Sequence, residues 1–205
     1  MNHTSKKSAY LFLVDNFSIA VFTSAKQFFS KEVAMALQLV AGQDMRDLTR
    51  GPLLYLQSQD VPTVPPFVVS EHLVESTSPD APIQIARVCE NVRLEFSTKV
   101  EPSAGPVRLK VFRQFEEAPE RKIMGHLDVI TFGQLLYVVG LQGKGEDGIL
   151  PVNGHAFISL ICDRNGIKRK MAASWHIYDP IGWCFMVLMP HDHFHFNVNQ
   201  HYLSS

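Results

Sequence analysis

The 205-residue chain has no excess of charge of either sign: 19 Lys and Arg stand against 20 Asp and Glu, a formal net charge of −1. No overall field therefore draws it to nucleic acid or to an anionic membrane surface. Cysteine is scarce. Cys89, Cys162 and Cys184 are an odd number without C-x-x-C spacing, which argues against a disulfide framework or a cysteine zinc knuckle and fits a reducing compartment such as the cytoplasm. No apolar run approaches the ~18 residues that a membrane-spanning helix needs. Lys6-Lys7 and the run from Ala9 to Val14 imitate the charged and apolar parts of a signal peptide, but Asp15-Asn16 ends that run after six residues. The phosphate-loop ending Gly-Lys-Ser/Thr is also missing, so Gly143-Lys144-Gly145-Glu146-Asp147-Gly148 is expected to be a solvent-exposed turn. No repeat and no low-complexity tract is present.

What is present is a composition for a packed core: 46% hydrophobic and 19% charged residues, enough for one domain over 1–205. Near the start, Tyr10 to Val14 and Phe17 to Phe22 flank Asp15-Asn16 as a hairpin would. Ser24 with Gln27 then matches a capping box. Phe29, Val33, Leu37 and Val40 recur at helical spacing before Gly42. Pro62, Pro65 and Pro66, followed by the turn-formers of Ser76 to Pro82, make residues 57–82 the expected boundary between a hairpin-and-helix subregion (1–60) and a β-rich one (83–205).

Beyond that boundary the period falls to two. Val92, Leu94 and Phe96 alternate with polar residues, as do Val107, Leu109 and Val111, and both runs are expected to be strands of a hairpin. Phe115 to Lys122 is an acidic loop or short helix, and His126 to Phe132 and Gln134 to Leu141 are taken as two further strands. The fold class expected is α+β, an N-terminal helical subregion packed on a C-terminal, largely antiparallel sheet.

Chemistry is concentrated between Asn153 and Trp183. His155 opens the apolar run Ala156 to Ile161, Asp163-Arg164-Asn165-Gly166 supplies a reversing turn, and the run Ala172 to Tyr178 leads back to Asp179. An antiparallel hairpin brings the start of its first strand near the end of its second. Asp179 would then accept the His155 Nδ1–H and leave Nε2 free as a general base. The segments Gly154-His155-Ala156-Phe157 and Trp175-His176-Ile177-Tyr178-Asp179-Pro180, roughly thirty residues in all, resemble the His/Asp half of papain-like and transglutaminase-like thiol enzymes. The resemblance implies an upstream cysteine nucleophile at a helix N-terminus, which by chain order is Cys89, and a glutamine shortly before it as oxyanion donor, here Gln84. Its surroundings depart from the family, since no bulky residue follows Cys89. The implied activity is hydrolysis or acyl transfer on peptide or side-chain amides without a cofactor.

Two other readings arise from the residues. One is a non-enzymatic β-rich binding or assembly subunit of a multi-component particle, motivated by aromatic strand residues including Phe112, Phe115, Phe185, Phe194 and Phe196; its partner would be protein, not nucleic acid or membrane. The other is a metal hydrolase on His191, His193 and His195, whose alternate spacing projects three imidazoles from one face of a strand.

Overall fold

The computed structural model describes residues 49–189 and 200–205. Eleven strands run in chain order: β1 Thr49–Arg50, β2 Leu53–Val61, β3 Phe67–Val68, β4 Ile85–Val88, β5 Val100–Glu101, β6 Val107–Gln114, β7 Val129–Ile130, β8 Ala156–Cys162, β9 Lys168–His176, β10 Gly182–Leu188 and β11 His201–Ser204. Nine of them form one sheet in the order β1-β2-β6-β11-β8-β9-β10-β4, with β7 attached to β8 off that path; β3 and β5 pair separately. The sheet is mixed. β11 runs parallel to β8, β7 parallel to β8 and β4 parallel to β10, while the remaining pairs of this sheet are antiparallel.

This architecture overturns the α+β expectation. Among the described residues, helix is confined to four short segments set between strands: α1 Val69–His72, α2 Glu90–Phe96, α3 Glu120–Met124 and α4 Phe132–Gly140. The expected N-terminal hairpin and the helix ending at Gly42 lie outside the described residues. Two expected strands are helices. Val92 and Phe96 are both buried in α2, four positions apart, a spacing that serves one helix face as well as it continues a period-two strand. Gln134 to Gly140 belongs to α4 and Leu141 is its C-cap; the start of the helix is set by a capping box, in which the Thr131 hydroxyl accepts the Gln134 N–H at 3.1 Å and the Gln134 side-chain oxygen accepts the Thr131 N–H at 2.9 Å.

Nor do the prolines divide the sheet. β2 runs on through Gln57 to Val61 and pairs along its length with β6 from the far side of the proline stretch. The sheet carries apolar side chains on both faces. One packs Val111, Phe157, Trp175, Trp183 and Phe185 against α2 and α4. The other gathers Phe112, Ile158 and Tyr202 with Ile123 of α3. A sheet covered on both sides explains why its strands lack a wet face. Between β10 and β4 the backbones approach closely. At Gly182, with φ +150°, an added Cβ would lie 2.8 Å from the Ala86 nitrogen, so this position excludes a side chain.

Candidate functional site

The hairpin expected around Asp163 is present, and its turn is built from one carboxylate. Asp163 is almost fully buried. Its Oδ1 accepts the N–H groups of Asn165 and Ile167 at 2.8 and 2.9 Å, and its Oδ2 accepts Arg169 Nε at 2.9 Å. Burial alone would raise this carboxyl's pKa, but the donors of Ile167, Asn165 and Arg169 outweigh it and hold the value below the ordinary range. The register that follows pairs Ala156 with Ser174, so His155 precedes β8 at the level of Trp175.

His155 is exposed, and its backbone N–H donates to Asn153 Oδ1 at 3.3 Å. Asp179 is also exposed, four residues beyond Trp175 in the connection between β9 and β10. The imidazole that engages this connection is that of His176, with Nδ1 3.1 Å from the Pro180 carbonyl oxygen. No hydrogen bond joins His155 to Asp179 among the described residues.

Cys89 lies at the junction of β4 and α2 as the N-cap residue of that helix. Its N–H donates to the Phe185 carbonyl at 3.0 Å, and its own carbonyl accepts the N–H groups of Val92 and Arg93. Cys184 is close by: burial first, and then the neighbouring Cys89, raise the Cys184 thiol's pKa. The sheet does not bring Cys89 to His155. Between β4 and β8 stand β10 and β9, three interstrand steps or about 14 Å. Gln84 precedes the opposite end of β4, roughly 16 Å of extended chain from Cys89. Its side-chain amide donates to the Ser78 carbonyl at 3.3 Å, its N–H to Gly143 and its carbonyl accepts from Trp183. Of the four residues, only His155 and Asp179 share a hairpin end.

Two features escape the thiol-enzyme reading. The first is the connection at 177–181, where Tyr178 is 71% exposed and Ile177 and Ile181 are 45% and 48% exposed. Its apolar letters are visible in the sequence, but they resemble a strand continuing from Ala172. The second is Arg113, which shares the inward face of β6 with Leu109 and Val111 and is only 7% exposed. It pairs in register with His201 of β11. Both Arg113 Nε and His201 Nδ1 are buried without a hydrogen-bond partner, as is Ser159 Oγ on β8. Burial, then Arg113, then His155 push the His201 pKa down to about 4. The period-two pattern of β6 could have flagged a cation at an inward position, but nothing in the sequence pairs it with a histidine 88 residues away.

His191, His193 and His195 lie outside the described residues, and no group of three metal-ligating side chains occurs among the described ones. No helix among them is long and apolar enough to cross a membrane. No protein-family model matches this chain, and no curated protein or solved structure matches it either.

Proposed function

We propose that this protein is a non-enzymatic, β-rich binding module, an assembly subunit that receives a protein partner on the connection between β9 and β10. The observation carrying this reading is the exposure of three apolar side chains, Ile177, Tyr178 and Ile181, within five residues. The segment is tied down by the His176 contact with Pro180 and by edge-to-face packing of His176 on Tyr178, with ring centroids 6.0 Å apart. Tyrosine offers a large, stiff contact area with a polar tip, which is why it dominates interface hot spots. A tethered apolar tip loses little conformational freedom when it docks. Three unpaired cysteines suit a reducing compartment, so this reading assigns the cytoplasm.

The test is sedimentation of the purified chain, combined with a photo-cross-linking residue at position 179, between the two substituted positions. Assembly that Tyr178→Ser with Ile181→Ser abolishes, at unchanged Tm, is the expected result. Cross-links and mass untouched by the double substitution would overturn the reading.

A thiol-dependent hydrolase or acyl transferase is the second reading. One observation favours it, the position of Cys89 as N-cap of α2, the placement that the family resemblance implies for the nucleophile. Its measure is the pH dependence of Cys89 alkylation in wild type and in His155→Ala. A fast reaction at low pH, lost in the variant, establishes a coupled pair. A slow reaction indifferent to His155 removes the mechanism.

A further inference from the structure

Three charged side chains are buried among the described residues: Glu101, Asp163 and Arg113. Glu101 holds Lys99 at 2.8 Å, and Asp163 holds Arg169 at 2.9 Å. Arg113 has no such partner. Its Nε–H donor is sealed from solvent without an acceptor, and burial alone lowers its pKa. Sealing the Nε–H of a guanidinium without an acceptor costs stability, whereas an apolar residue at the same inward position would not. Its retention beside Leu109 and Val111 therefore points to a use.

The neighbour across the strand pair sharpens what that use is. His201 faces Arg113 in register, with Nδ1 likewise buried and unmet. At neutral pH it carries no charge. An uncharged imidazole beside a guanidinium can supply an N–H donor without adding a second repelling cation. The pair offers donors and one positive charge, the complement of an oxyanion.

We propose that Arg113 and His201 form a binding site for an oxyanion group, the carboxylate or phosphate of a small ligand. The guanidinium supplies the charge and its Nε–H, and the His201 Nδ1–H is the second donor. The proposal does not rest on the partner-binding reading of the loop at 177–181.

Inorganic phosphate and, separately, acetate are the probes, titrated into the full ¹⁵N-labelled chain at constant ionic strength with chloride as balance. A saturable shift of the Arg113 Nε–H resonance is expected. Tm should rise by about 5–10 °C when the probe reaches a hundred times its Kd. Response to phosphate alone identifies a phosphate-bearing ligand, and response to acetate as well identifies a carboxylate. Arg113→Gln is expected to weaken the response at least ten-fold, and His201→Phe several-fold. An Arg113 resonance that stays fixed in both titrations, or a Tm response that Arg113→Gln retains in full, would overturn the proposal. The resonance is read on the wild-type chain, so the test stands even where a variant fails to fold.

Discussion

Arg169 donates through Nε to the buried Oδ2 of Asp163 at 2.9 Å, while the other oxygen of that carboxylate closes the β8–β9 turn. One side chain thereby couples a reversal of the chain to the strand that follows it. Asp163→Ala removes three hydrogen bonds and leaves the guanidinium with Glu95 alone, for an expected loss of about 2–4 kcal/mol by urea unfolding. The acid branch has a definite sign. Because the folded carboxyl titrates below the unfolded value of ~3.9, its contribution is present above that value and disappears as pH falls through the folded pKa. Asp163→Ala should remove that part of the acid transition.

The reciprocal bonds of Thr131 and Gln134 start α4. Thr131→Ala should cost about 1 kcal/mol in urea unfolding at unchanged m-value. Gln134→Ala leaves the Thr131 N–H unmet and should cost a similar amount. The double variant is expected to fall short of the sum, because both changes dismantle one box.

His201 gives stability a dependence on pH opposite to that of a histidine with an acidic partner. Its folded pKa of about 4 lies below the unfolded value of 6.5, so only the unfolded chain takes up a proton between the two. Stability should fall as pH drops from about 6.5 to about 4 and level off below, with a total of up to about 3 kcal/mol. His201→Phe is expected to flatten this window in urea titrations at several pH values. An unchanged slope in that variant would place the effect on another group.

Gln142 is 1% exposed and serves three backbone groups: Nε2 donates to the carbonyls of Glu146 and Leu150, and Oε1 accepts the Leu150 N–H. Gln142→Leu keeps most of the volume and strands those groups. The expected loss is about 2–4 kcal/mol, with the 142–150 loop gaining hydrogen exchange ahead of the sheet.

The hairpin from Ala156 to His176 and strand β6 are legible in the sequence because their signals are local: apolar runs joined by Asp163, Asn165 and Gly166 in the first, and the alternation of Val107, Leu109 and Val111 in the second. The helices α2 and α4 were not, since Val92, Leu94 and Phe96 satisfy a strand's period while Val92 and Phe96 also satisfy a helix's. The decisive signal for α4, Thr131 three residues before Gln134, was there and was outweighed by β-branched residues. The distance between Cys89 and His155 was beyond reach, because strand order depends on which strands β10 and β9 choose as neighbours. Within the exposed tip, Ile177 and Tyr178 close the apolar run from Ala172 and so resemble the end of a strand. The juxtaposition of Arg113 with His201 is not legible in the sequence, because β11 comes from the far end of the described chain.

The position of β11 has a consequence in time. It is the last strand in chain order among those described, yet it sits mid-sheet, and the hydrogen-bonded ladder passes from β6 to β8 only through it. While the polypeptide is being synthesised, both flanking strands therefore wait with open edges, the very surfaces that recruit stray chains. Docking of His201–Ser204 is the event that joins the two halves of the ladder. A short peptide of that sequence, supplied in trans to a chain ending before it, is the natural key to the same lock.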